Sequence, residues 1–220
     1  MAKITSRFAG ETERNMYKAL NLVKSCAPCV FLIDEIEKAL GGYKSSNNSD
    51  SGAIARAFGS LLDFLNEDNG VFVVMTSNDI SQLPPELTRA GRLDAIWYFG
   101  LPDQEEREQI LSIHLNKVNK TVDKEIIKEI ASLMDKFTGA EIQQVVKVAL
   151  KKAFVRKIKE NTSGDITKDI LKEATKEIVP VAIISKEEIS SLDKWAKNRA
   201  LIANDNKSSQ KNKIRTLVVD

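Results

Sequence analysis

The sequence predicts an α/β fold: a short, largely parallel sheet interleaved with helices, followed by a region that is all helix. Three observations carry this. Two continuous apolar runs, Cys29-Val-Phe-Leu-Ile33 and Val71-Phe-Val-Val-Met-Thr76, have the length and composition of strands buried on both faces. Amphipathic helical patterns stand before and between them, the alternation that accompanies parallel strands. Past Pro102 the periodic segments all have helical spacing.

The elements follow in order. Met16, Leu20 and Val23 recur at i, i+4 and i+7, which predicts a helix over 11–26 that Pro28 ends. The first apolar run leads straight into Asp34-Glu35. Lys44-Ser-Ser-Asn-Asn-Ser-Asp-Ser-Gly52 is a polar loop. Ile54, Phe58, Leu61, Leu62 and Leu65 share one face of a helix over 53–66. Gly70 precedes the second run, which stops at Ser77-Asn78. Leu83-Pro-Pro85 breaks the chain, and Ile96-Trp-Tyr-Phe99 predicts a third short strand closed by Gly100 and Pro102. Helices are predicted over 103–117, 123–137, 138–160, 165–178 and 185–202. Thr138-Gly-Ala-Glu141 and Ser185-Lys-Glu-Glu188 have the capping-box pattern. Residues 203–220 predict a loose tail.

Composition removes several classes of function. Of 220 residues, 42% are hydrophobic and 29% charged, enough apolar material for a core. No apolar run approaches the roughly 18–20 residues of a membrane span, and Met-Ala-Lys-Ile-Thr-Ser-Arg has no apolar signal core. A net charge of +2 gives no clear nucleic-acid signal. The charge is uneven: 11 basic and 16 acidic residues up to position 110, then 22 and 15. That asymmetry fits two subdomains with different tasks. Lys outnumbers Arg 24 to 9 and Ile and Asn are abundant, the bias of an AT-rich genome. Cys26 and Cys29 form the only C-x-x-C and His114 is the only histidine, too few ligands for a zinc quartet. Structural thiols in a reducing compartment are expected.

Chemistry-bearing residues cluster at the ends of the apolar runs. Four apolar residues followed by Asp-Glu is the Walker B pattern. A buried strand delivers Asp34 to the carboxyl edge of a parallel sheet, where such folds bind ligands. An Asp there can hold Mg²⁺ through water, and Glu35 beside it can activate a water for attack on a γ-phosphate. Asn78 lies beyond the second run, at the corresponding edge, where an amide can orient that water; a turn-forming Asn is the other reading. In Leu83-Pro-Pro-Glu-Leu-Thr-Arg-Ala-Gly-Arg-Leu-Asp94, Arg89 and Arg92 stand three residues apart in a segment stiffened by Pro and Gly. Two guanidinium groups there suit phosphate charge in a transition state, unless they form surface salt bridges to Glu86 or Asp94.

In this order the motifs resemble the AAA ATPases, from about Arg7 to Leu150. Gly10-Glu-Thr-Glu-Arg-Asn15 is similar to that family's helix start, Cys29–Glu35 to its Walker B strand and Asn78 to its sensor 1. Arg89 and Arg92 match the two arginine-finger positions. Arg107-x-x-Ile-x-x-Ile-His114 resembles the lid segment whose histidine lies near the ribose, and Thr138-Gly-Ala-Glu141 resembles the lid helix start beside the adenine. The resemblance thus implies ATP and Mg²⁺ as cofactors. It implies Asp34 toward the metal and Glu35, Asn78, Arg89 and Arg92 in catalysis. His114, Gly139 and Ala140 would face the nucleotide. Ala27–Lys38, Leu83-Pro-Pro-Glu-Leu and Trp195-Ala-x-x-Arg199 further resemble a plastid- and cyanobacterium-encoded AAA family of unknown cellular role, which implies the plastid stroma or the bacterial cytoplasm.

One expected motif is missing. No Gly-x-x-x-x-Gly-Lys-Ser/Thr occurs, the loop whose backbone N–H groups and Lys hold phosphates. In the family it lies upstream of the segment matched by Gly10-Glu-Thr-Glu, and nine residues cannot hold it. The fold class implied is a truncated AAA-type parallel sheet followed by an all-α lid. Residues 1–101 would be the C-terminal part of the nucleotide-binding subdomain, 102–180 the lid, and 181–220 a C-terminal helix and tail. The family's sheet order, 5-1-4-3-2, would lose strands 1 and 2 and leave an apolar edge bare. Two functions stay open: an ATPase portion that works in a ring with a P-loop half from elsewhere, Phe8 gripping a protein substrate, or a non-catalytic fragment that docks onto related AAA subunits.

Overall fold

The computed structural model of the chain describes residues 11–40, 51–89, 92–160 and 163–204. They fall into two compact units, divided between Ala95 and Ile96.

The first unit is built on two parallel strands, β1 (Cys29–Ile33) and β2 (Val71–Met75), in the register Cys29↔Val71 to Ile33↔Met75. Helix α1 (Glu11–Ser25) precedes them. The short α2 (Ile36–Ala39) follows β1 directly, and α3 (Ser51–Asn66) leads into β2. Met16 and Leu20 of α1 and Ala57, Phe58, Leu61 and Phe64 of α3 pack with Ile33, Ile36 and Leu40 into one core. Phe31, Val71, Val73 and Met75 lie against it, and Phe31 meets Phe64 edge-on at 6.4 Å between ring centroids. The Cys29 thiol donates to the Val23 carbonyl at 3.6 Å, and both cysteines are free.

The opposite sheet face is open. Val30, Leu32, Phe72 and Val74 are 68%, 55%, 67% and 36% exposed, so β1 and β2 are not buried on both faces as their composition predicts. An unbroken apolar run records how a strand is normally packed. It cannot say which segment covers each face, and the described helices cover one.

The second unit is mostly helical. Helices α4 (Gln104–Lys117), α5 (Lys124–Leu133), α6 (Gly139–Glu160) and α7 (Lys168–Glu177) enclose a core of Leu111, Leu115, Ile130, Met134, Ile142, Val145 and Leu171. Asp103 and Glu106 form a reciprocal capping box at the start of α4. Arg107 is 8% exposed. Its guanidinium donates to the Ala131 carbonyl at 3.0 Å, the Pro102 carbonyl at 2.9 Å and Gln104 Oε1 at 2.9 Å, tying α4 to α5.

The expected box at Thr138–Glu141 is present: Glu141 Oε2 accepts from the Thr138 N–H at 2.7 Å and the Glu141 N–H donates back to Oγ1 at 3.3 Å. The expected box at Ser185 is absent. Helix α8 (Val181–Ile184) runs into α9 (Lys186–Arg199), and Ser185 closes α8 by donating its N–H to the Val181 carbonyl at 2.8 Å. Its backbone, φ −105° and ψ 43°, is not the extended conformation a side-chain cap requires. Nor does the last helix reach 202. Ala200 is extended, and β4 (Leu201–Ile202) pairs in parallel with β3 (Trp97–Tyr98). The Tyr98 hydroxyl donates to Asp193, and the Asn204 amide oxygen accepts the Gly100 N–H at 2.7 Å. A two-residue strand carries no periodicity from which to read it; these tertiary contacts define it.

A candidate nucleotide-hydrolysis site

The carboxyl ends of β1 and β2 bring three of the expected residues together. In the parallel register, Asp34 falls opposite Thr76, one step beyond Ile33↔Met75. The strand ends stay laced: the Thr76 N–H donates to the Ile33 carbonyl at 3.0 Å and the Ile36 N–H to the Thr76 carbonyl at 2.9 Å. The Thr76 hydroxyl donates to Asp34 Oδ1 at 2.5 Å and accepts the Glu35 N–H at 2.9 Å. Between these fixed points Glu35 adopts φ 53° and ψ 55°. That left-handed conformation costs a non-glycine residue about 1–3 kcal/mol. It turns the chain out of β1 into α2. Asn78 Nδ2 donates to Glu35 Oε1 at 3.3 Å, and Lys38 Nζ donates to the same oxygen at 2.5 Å.

Glu37 points the other way. It is 5% exposed, and its Oε1 accepts the Asn78 N–H at 3.2 Å. Its Oε2 and the Ser77 hydroxyl oxygen are buried with no hydrogen-bond partner among the described residues. Asp34, Glu35 and Asn78 were singled out in the sequence. Thr76, Glu37 and Lys38 were not. Thr76 stood in the sequence as the last residue of the second run, and the strand register makes it the partner of Asp34. Glu37 was hidden because an acidic residue in a first helical turn is ordinarily solvated.

Asp34 is exposed and uses one oxygen on Thr76. Among the described residues no cluster of three or more His, Cys, Asp or Glu could hold a metal. A Mg²⁺ ion bound through one carboxylate, waters and phosphate oxygens needs no such cluster, so the donor set fits that mode and not an all-protein cage.

The arginines differ. Leu83, Pro84 and Leu87 anchor their segment in the core. Arg92 Nη1 donates to the Glu86 carbonyl at 2.6 Å, a backbone oxygen and not a carboxylate, and Arg89 is exposed. In the second unit, His114 is half-buried on α4. Burial first, then Lys117 and Lys147, hold its pKa below the usual histidine value. Gly139 opens α6, and a Cβ there would stand 3.8 Å from Ile110 Cδ1. Ile110 is one turn before His114 on the same face of α4. Ala140 follows and is exposed. Phe8 and Gly10 lie outside the described residues.

An Asp-Glu turn held by Thr76 and Asn78 at the carboxyl edge of a parallel sheet is an arrangement able to take a metal-bound phosphate ligand. The family model described as "ATPase family associated with various cellular activities (AAA)" matches residues 1–101. The match covers just under half of the chain, and residues 1–101 are similar to that family's domain. The chain is 40% identical over 198 residues to the "Uncharacterized AAA domain-containing protein ycf46" of Pyropia yezoensis, covering 89% of this chain and 39% of that protein. It is 38% identical over 192 residues to the ycf46 protein of Guillardia theta, covering 85% and 36%. It therefore spans well under half the length of these relatives. The solved FIGL-1 AAA domain in complex with ADP aligns with a TM-score of 0.70 at 22% identity, over 90% of this chain and 67% of that one, which supports the fold.

Proposed function

We propose that these residues are the Walker B, sensor 1 and lid portion of an AAA ATPase that hydrolyses ATP and uses the energy to remodel a macromolecule. The observation that carries the reading is the Asn78–Glu35 hydrogen bond beside the Asp34–Thr76 pair at one sheet edge. Glu35 would take a proton from the attacking water and Asn78 would orient that water toward the γ-phosphate. Asp34 would hold Mg²⁺ through water, and the ion, when bound, neutralises phosphate charge. His114, Gly139 and Ala140 would border the base and ribose, a neutral His114 being free to accept or donate one hydrogen bond. Arg89 and Arg92 would act on a neighbouring subunit's nucleotide in a ring; the exposed Arg89 is the better placed of the two to reach outward.

The phosphate loop would come from polypeptide outside these 220 residues, and the open face of Val30, Leu32, Phe72 and Val74 is consistent with cover from such a segment. The plastid stroma or the bacterial cytoplasm is the proposed location, following the ycf46 relatives. No helix among the described residues is long and apolar enough to cross a membrane. A second reading, a fragment that docks on a related ring without catalysis, draws on the same open face.

The test uses a polypeptide that joins these residues to an upstream P-loop segment. Glu35→Gln should stop turnover and keep ATP bound, and Arg89→Ala should also be nearly inactive. Mixed, the two should regain activity, because an intact site on one subunit can meet an intact arginine on the next. Turnover of the Glu35→Gln form within threefold of the unsubstituted polypeptide would remove Glu35 as base. Folded, assembled variants that fail to complement would favour the docking fragment.

A further inference from the structure

We propose that Glu37 is a positioning residue for this site, holding the main chain of Asn78 so that the Asn78 amide meets Glu35. The catalytic part of this inference rests on the ATPase reading above; the hydrogen-bond brace does not.

Burial is the first observation. A carboxylate in the first turn of a four-residue helix gains most by staying in water near the helix N-terminus. Glu37 is instead 5% exposed. Taking a carboxylate out of water is costly, and an apolar side chain of similar volume usually stabilises such a position as well or better. Packing alone therefore does not account for a Glu here.

Geometry is the second. Thr76 is fixed on both sides by strand-end hydrogen bonds to Ile33 and Ile36. Two residues on, the backbone of Asn78 has left the ladder. Its N–H donates to Glu37 Oε1 at 3.2 Å. The Asn78 side chain then reaches Glu35 at 3.3 Å, so two bonds of similar length, one to the main chain and one to the side chain, fix this residue together. Glu35 and Glu37 are thus two carboxylates on one turn that grip the same residue, one by its side chain and one by its main chain. Oε2 of Glu37 and the hydroxyl of Ser77 are left buried without partners among the described residues.

The experiment compares Glu37→Gln, which keeps volume and a carbonyl acceptor, with Glu37→Met, which keeps length and lacks an acceptor. Met suits a buried site, so that variant should fold. In the 220-residue chain, Asn78 amide exchange should quicken about tenfold in Glu37→Met and stay near the unsubstituted rate in Glu37→Gln. The amides of Leu61 and Phe64 should not change in either. In the P-loop-bearing polypeptide, Glu37→Met should lower kcat about tenfold with the KM for ATP within about threefold, and Glu37→Gln should restore kcat. Equal Asn78 exchange in the two variants would overturn the brace. Faster exchange with unchanged kcat would overturn the positioning role. Absence of turnover in the unsubstituted polypeptide would instead remove the ATPase reading, leaving the exchange result to decide the brace.

Discussion

Replacing Thr76 by Val keeps the side-chain shape and strand preference and removes one hydroxyl. That hydroxyl makes two hydrogen bonds, to Asp34 Oδ1 at 2.5 Å and from the Glu35 N–H at 2.9 Å. A neutral hydrogen bond contributes about 0.5–1.5 kcal/mol net and one to a charged group about 1.5–3 kcal/mol. Thr76 and Asp34 are both exposed, so water replaces part of each and the expected loss is about 1–2 kcal/mol. The left-handed Glu35 is released at the same time, which moves the figure toward the lower end. Both tryptophans, Trp97 and Trp195, lie in the second unit, so their fluorescence does not report on this site. Amide exchange at Val73 and Leu32 does, and should quicken about 5- to 30-fold. Thr76→Ser keeps both hydrogen bonds and should stay within about threefold. Unchanged exchange in Thr76→Val would mean that the hydroxyl does not hold the Asp34–Glu35 turn.

Two further outcomes concern the second unit. Arg107→Met strands the Ala131 and Pro102 carbonyls and Gln104 and should destabilise that unit by about 2–4 kcal/mol, read by urea unfolding with tryptophan fluorescence; a loss under about 1 kcal/mol would refute the tie between α4 and α5. His114, the only histidine, should titrate below 6.5 in a proton NMR experiment. A depressed folded-state pKa means that the associated stability is complete above 6.5 and is lost as pH falls through the folded value. Lys147→Gln should raise the midpoint, and a midpoint at or above 6.5 would contradict the described surroundings.

The parts legible in the sequence were those with local signals. Apolar runs located β1 and β2 to within a residue, and period located α1, α3, α4 and α6 closely, while α5 stops at Leu133 instead of 137 and α7 starts at Lys168 instead of 165. Asp34, Glu35 and Asn78 were legible because a strand end projects its next residues at the sheet edge. Glu37 was not, because its importance comes from burial, which exists only once the chain is folded, and Thr76 gains its place from the register opposite Asp34. Ser185 misled because its capping pattern is real but α8 already occupies the turn before it. β4 escaped because two residues carry no period, and the openness of one sheet face escaped because composition does not say which segment covers each face.

Glu35 also bears on how this region would respond to selection for robustness. Its φ of 53° is one that glycine adopts freely and asparagine tolerates. Replacement by either would relieve backbone strain and uncouple the Lys38 contact, so a screen scored only on melting temperature would reward losing the side chain proposed above as the base. Persistence of glutamate at this strained corner in a variant library would therefore report pressure on turnover and not on folding. Position 35 is a place where thermal fitness and chemical fitness can be read apart in a single codon.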